Sequence, residues 1–203
     1  MNKFLTLLLL ATFFTACGGP QTAQDTTEEV AATTTEEPVA VNAEADEAAP
    51  AYITTVLQAD LPSPRKEMVA KLGEATITIN YGSPSVKGRE IWGALVPYDE
   101  VWRTGANEAT TFTTDTELEV GDQILPAGTY GLFTIPSQEQ WIIIFNETAE
   151  QWGAYEYDQN KDIIRVKASP KMSADYSESL EFIVENDTLM FAWGNLRLPF
   201  PLG

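Results

Sequence analysis

The sequence predicts an all-β fold: an antiparallel β-sandwich, or a barrel-like meander of hairpins, with one or two short helical turns. Three observations carry this. Between residues 52 and 203 apolar side chains recur mainly with period 2, which places them on one face of a strand. Turn signals rich in Gly, Pro and Asn separate these stretches at intervals of about 8–12 residues. No window longer than 11 residues has a capped i, i+3, i+4, i+7 apolar pattern.

The elements follow in chain order. Met68, Ala70 and Leu72 fall on alternate positions flanked by Glu67 and Lys71, Gly73-Glu74 turns the chain, and Ile77, Ile79 and Tyr81 alternate with Thr and Asn, which predicts a hairpin. Leu118 and Val120, Gly121-Asp122, then Ile124 repeat the device on a smaller scale. Pro126-Ala127-Gly128 turns into a strand over 129–135, and 137–140 turns into Trp141-Ile142-Ile143-Ile144-Phe145, an unbroken apolar run suited to a central strand. A further strand is predicted over 162–167. Leu180, Phe182 and Val184 meet Leu189, Phe191 and Trp193 across Asn186-Asp187, a closing hairpin. The helical candidates are short: Glu90 to Leu95 and Thr148 to Trp152.

Two segments precede this domain. Lys3 supplies one positive charge and residues 4–14 are apolar apart from Thr6 and Thr12, so residues 1–16 are expected to be a signal peptide, too short to span a bilayer. Phe14-Thr15-Ala16-Cys17 resembles a bacterial lipobox, with Phe14 in place of the usual Leu. Cleavage before Cys17, the sole cysteine, and its acylation are the expected processing, and several acyl chains give a stable anchor. Residues 17–51 then hold eight acids, no base and no aromatic residue, with Thr and Ala dominant, which predicts a disordered acidic tether. Asp25-Thr26-Thr27 resembles the short acceptor sequence that some Bacteroidetes O-glycosylate. Residues 52–203 form the remaining unit, a single β domain long enough to bury a core unaided.

Composition narrows the chemistry. The chain has 203 residues, 12 Lys+Arg, 30 Asp+Glu and no His, for a formal charge of −18. Without His there is no Ser-His-Asp triad and no His-ligated metal. One Cys excludes an internal disulfide. The acidic balance argues against nucleic acid, which is read with Lys and Arg. No calcium loop pattern is present, so neither metal nor cofactor is expected.

Three segments carry a family resemblance: Tyr81-Gly82-Ser83-Pro84-Ser85-Val86-Lys87-Gly88-Arg89-Glu90-Ile91-Trp92-Gly93; the run from Leu95 to Thr111, which contains Trp102-Arg103-Thr104-Gly105-Ala106-Asn107-Glu108; and the run from Leu125 to Pro136, followed by Gln151-Trp152-Gly153-Ala154-Tyr155. Together they resemble the domain-of-unknown-function family numbered 2911, over roughly residues 61–198. The resemblance implies a Bacteroidetes-type envelope context and no assigned reaction.

Arg89, Trp102, Arg103, Asn107 and Glu108 fall in turn-rich sequence, and Trp152 and Tyr155 in another such stretch. Arg offers a planar fork of donors, Asn both donor and acceptor, Glu an acceptor, and the aromatic rings flat faces. This set suits a small polar or carbohydrate ligand. A structural use of the same residues stays open: an Arg103–Glu108 ion pair, Asn107 closing a turn, Trp92 and Trp102 in the core, Trp152 plugging a barrel end. For catalysis the main option is a carboxylate pair among Asp99, Glu100, Glu108 and Glu156. The expectation is an outer-membrane lipoprotein, on its periplasmic or surface face, whose β domain is a non-catalytic module binding a ligand or an envelope protein. A glycan hydrolase and a structural or assembly lipoprotein are the alternatives.

Overall fold

The computed structural model describes residues 50–203. The signal segment 1–16, Cys17 and Asp25-Thr26-Thr27 lie outside the described residues, as does nearly all of the acidic segment. Eleven strands occur in the described part: β1 (Tyr52–Gln58), β2 (Arg65–Leu72), β3 (Ala75–Gly82), β4 (Thr110–Thr114), β5 (Leu118–Val120), β6 (Gln123–Leu125), β7 (Gly128–Ile135), β8 (Trp141–Asn146), β9 (Asp162–Ala168), β10 (Lys171–Glu185) and β11 (Thr188–Pro199).

Seven of them form one antiparallel sheet in the order β1-β2-β3-β4-β7-β8-β9, open at both edges. The sandwich-like reading of the sequence therefore holds and the closed barrel does not. The hairpins β10-β11 and β5-β6 form the second layer. Period-2 patterning shows directly in burial: Ile77, Ile79 and Tyr81 of β3 are fully buried, and Met68 and Ala70 of β2 share their face. They pack in one core with Leu180 and Phe182 of β10, Phe191 and Trp193 of β11, and Leu118, Val120 and Leu125 of the small hairpin.

The turns use the chemistry that their sequences advertise. Asn186 and Asp187 have φ of 48° and 58°, the paired left-handed conformation of a two-residue hairpin, and Asn and Asp tolerate it better than most residues. Beyond β3 the chain crosses between layers. Ser85 bridges Ser179, the Val86 amide donates to the Glu178 carbonyl at 2.7 Å, and the Ser83 hydroxyl to the Leu180 carbonyl at 2.7 Å. The stretch after Gly82 thus stitches the large sheet to β10.

Both helical candidates are corrected. Residues 90–95 form a wide turn in which the Val96 amide reaches the Ile91 carbonyl at 2.8 Å, and Gly93 sits at φ 84°, where a helix cannot continue. Residues 148–152 instead spend their backbone on other partners: the Thr148 amide donates to the Asn146 side chain and the Gln151 carbonyl accepts from Ala109. Among the described residues the one short helical turn is a 3₁₀ turn at Gln159–Lys161, capped by Asp158. The strands β1 and β4 and the first half of β10 lack an alternating apolar signature for identifiable reasons. Most of β1 is an exposed edge, β4 reads Thr-Thr-Phe-Thr-Thr, and β10 is irregular at two places before Glu181. Buried Arg197 spans that irregular region, donating to the carbonyls of Asp175, Gly194 and Leu196 at 2.9–3.2 Å.

Four of the five tryptophans converge between the layers. Trp92 meets Trp141 at 4.8 Å, Trp193 at 5.7 Å and Trp102 at 6.0 Å between ring centroids, all edge to face. Phe191 lies 5.9–6.2 Å from Trp92, Trp102 and Trp141. Each such ring buries about 150–250 Å², worth ~4–6 kcal/mol of transfer free energy. Phe191→Ala should therefore lower unfolding free energy by about 3–5 kcal/mol in a urea titration. Trp152→Ala, at a position 59% exposed, should change it by no more than about 0.5 kcal/mol.

Candidate functional site

The residues between β3 and β4 have no regular secondary structure, yet they are tightly held. Trp102 and Thr134 of β7 exchange backbone hydrogen bonds of 2.8 and 2.9 Å, which docks residue 102 on the sheet. Gly82 explains how residues 103–107 lie so close: a Cβ there would strike the Ala106 carbonyl, while the Ala106 amide donates to the Gly82 carbonyl at 3.2 Å. Four non-glycine residues in this segment adopt positive φ: Lys87, Asp99, Thr104 and Asn107. Thr104 is the costly one, because a β-branched side chain at φ 53° is strained. Its fully buried side chain is tied to the Thr134 hydroxyl at 3.1 Å, and its carbonyl accepts from Thr110 at 3.0 Å.

This segment encloses a cleft of about 430 Å³. Trp102 and Trp193 form its inner wall, their rings stacked at 15° with centroids 6.1 Å apart. Leu95, Val96 and Pro97 supply further apolar lining, and Ser63, Arg89, Glu100, Arg103 and Asn107 the polar groups. Arg89 is held by its own turn: Nε donates to the Val86 carbonyl at 3.0 Å and one terminal nitrogen to the Ser85 carbonyl at 2.5 Å. Asn107 donates to the Ser63 carbonyl at 3.3 Å, and its carbonyl accepts from Gly153. Arg103 is half-buried, and its Nε has no hydrogen-bond partner. Burial lowers its pKa from the usual arginine value, and the nearby Tyr155 phenol partly opposes that shift.

Four of the seven residues singled out from the sequence as ligand contacts, Arg89, Trp102, Arg103 and Asn107, thus meet in one cleft. The other three do not line it. Glu108 turns to the opposite side and pairs with Arg65, not with Arg103, at 3.4 Å. The two line a separate depression of about 280 Å³ with Glu150 and Gln151. With Glu108 45% exposed, such a pair is worth at most ~1 kcal/mol. Trp152 pairs in register with Glu108 but is 59% exposed, so it plugs nothing. Tyr155 is 86% exposed. Trp193 and Ser63 also line the cleft. Alternation marked Trp193 as core, and nothing in its sequence neighbourhood marks Ser63.

A second set of interactions holds the 147–157 segment on the outer face of the sheet. Gly131 has no side chain where the Thr148 carbonyl crosses 2.5 Å from the place of a Cβ. Phe133, Ala109 and Ile144 form a small apolar cluster beneath it, with Tyr157 edge-on to Phe133 at 5.1 Å. The Tyr157 hydroxyl donates to Asp162 at 2.7 Å, and Asp162 also accepts from Asn146 and pairs with Arg165.

The family model described as Protein of unknown function (DUF2911) matches residues 63–202. No curated protein and no solved structure matches the chain. The match covers the β domain nearly end to end, and the chain belongs to that family.

The seating of the cleft segment is testable at Gly82. Gly82→Ala should lower stability by about 1–3 kcal/mol in urea unfolding and raise amide hydrogen exchange at 103–107. Gly73→Ala, where an added Cβ meets nothing within 4 Å, should leave exchange at 103–107 unchanged.

Proposed function

We propose that this protein is an envelope lipoprotein, anchored through Cys17, whose β domain is a non-catalytic module binding a small polar ligand in the cleft of Arg89, Trp102, Arg103 and Asn107. The cleft itself is the observation that supports this most. Its volume of about 430 Å³ falls in the usual range for small-molecule sites. Its lining combines flat apolar side chains with convergent polar groups, the kinds of contact that orient a small polar ligand. Its strained, many-point-anchored backbone holds those groups in place before a ligand arrives, which reduces the ordering cost of binding.

Within the cleft, binding is favoured over hydrolysis on the placement of the acids. Glu100 is the one carboxylate lining the cleft, whereas Glu108 and Glu150 line the other depression. A glycosidase needs two carboxyls flanking one scissile bond. For the anchor, the lipobox-like sequence and the acidic segment after Cys17 support a domain held at a membrane by lipid and spaced from it. Among the described residues no helix is long and apolar enough to cross a membrane.

Two experiments test the reading. Thermal-shift screening of residues 50–203 against polar metabolites and glycans should give a hit that Leu95→Trp weakens by at least about tenfold, since the larger ring fills the mouth of the cleft. A hit that Leu95→Trp leaves untouched would remove the cleft from consideration. In cells, Cys17→Ala should shift the protein from the membrane to the soluble fraction. Retention in the membrane fraction would sink the lipid anchor.

A further inference from the structure

All five arginines of the chain lie in the described part, and four of them are engaged. Arg65 pairs with Glu108 and Arg165 with Asp162. Arg197 donates to three backbone carbonyls, and Arg89 to two. Arg103 alone has neither a carboxylate within 4.0 Å among the described residues nor a hydrogen bond from its guanidinium. This is unexpected on electrostatic grounds. Acids outnumber bases by 30 to 12 in the chain, so a counter-charge for a half-buried cation is readily available. A buried charge without a partner is expensive, and proteins normally pair it.

The surroundings show that Arg103 is held in this state by its fold. The residue before it is locked to β7, and the one after it is the strained, fully buried Thr104. Arg89 lines the same cleft, with no carboxylate within ion-pair distance and its guanidinium oriented by two carbonyls. Glu100, at the mouth, is exposed and bonded to neither arginine. Leu95, Val96, Pro97 and the stacked pair Trp102 and Trp193 give the cleft its apolar part, beside Ser63 and Asn107.

From this we infer that the ligand of the cleft carries an oxyanion, a carboxylate or a phosphate, on an apolar or flat body, with Arg103 as its principal counter-charge and Arg89 as the second donor. The inference rests on the cleft being the binding site. The fork geometry of a guanidinium matches both kinds of oxyanion, and the low-dielectric wall strengthens the pairing. In a domain of net negative charge, long-range attraction cannot draw an anion in, so recognition must come from these local donors.

Matched probes test it: benzoate and phenyl phosphate against their uncharged counterparts benzamide and benzyl alcohol. Each is titrated to about 10 mM, with melting temperature and tryptophan fluorescence as readouts. Trp102 and Trp193 line the cleft, so occupancy is read by their fluorescence. One or both anions should raise the melting temperature and alter the fluorescence, and the uncharged pair should not. Which anion acts distinguishes carboxylate from phosphate. Arg103→Gln should weaken the active anion by at least about tenfold while keeping or raising the melting temperature of the free protein, because it removes a half-buried charge that has no carboxylate partner. If the uncharged compounds act as well as the anions and Arg103→Gln keeps them, the oxyanion is overturned and the cleft stands. A screening hit lost in Leu95→Trp but kept in Arg103→Gln has the same meaning. If no probe or library compound perturbs the wild-type protein, the cleft reading fails and takes this inference with it.

Discussion

The aromatic cluster of Trp92, Trp102, Trp141, Trp193 and Phe191 is the contact on which the rest of the domain depends. Its members come from four places: the loop after β3, the segment before β4, the interior strand β8 and the outer layer strand β11. No pair of these elements is adjacent in the chain apart from the first two. The rings therefore do what a short hairpin cannot, joining the large sheet, the second layer and an irregular loop through one set of edge-to-face contacts. Packing of this kind admits few alternatives, because indoles are large and their edges and faces are not interchangeable.

The cleft is a consequence of that cluster. Trp102 and Trp193 serve as core on one side and as cleft wall on the other, so the wall is as rigid as the core. Residues 103–107 are held against β3 at Gly82 and against β7 at Thr134. Strain at Thr104 persists because the surrounding contacts over-determine it. A loop without regular secondary structure thus acquires the positional precision of a sheet. Arg103 occupies the junction of the two regimes, its backbone in the packed segment and its guanidinium at the cleft.

Much of this was legible in the sequence, and the limits have physical causes. Alternation at Met68–Leu72, Ile77–Tyr81 and Leu180–Trp193 identified strands whose one face is buried, and Asn186-Asp187 identified its turn. The edge strand β1 and the Thr-rich β4 left no such pattern, because a strand needs a buried face to write one. The two helical candidates were turns because Gly93 and the side chain of Asn146 redirect the backbone, an effect that only three-dimensional partners reveal. At the site, residue types pointed to Arg89, Trp102, Arg103 and Asn107, and the fold brings those four together. Glu108, one residue beyond Asn107, faces away. Its partner, Arg65, is 43 positions distant, and no local rule exposes such a choice.

The stitching of the 83–86 stretch to β10 bears on how the domain is made. Those partners are separated by more than 90 residues, and β10 and β11 contribute seven of the 29 buried residues of the main core, Phe182, Phe191 and Trp193 among them. A chain emerging N-terminus first can assemble β2, β3, β4, β7 and β8 in order, but only the small β5-β6 hairpin is there to cover the inner face of that sheet until the last hairpin arrives. Ile77, Ile79, Phe112 and Phe145 are then open to whatever else is nearby, and long-range pairings close slowly. During synthesis the apolar face of the sheet is therefore most exposed just before residue 180 becomes available.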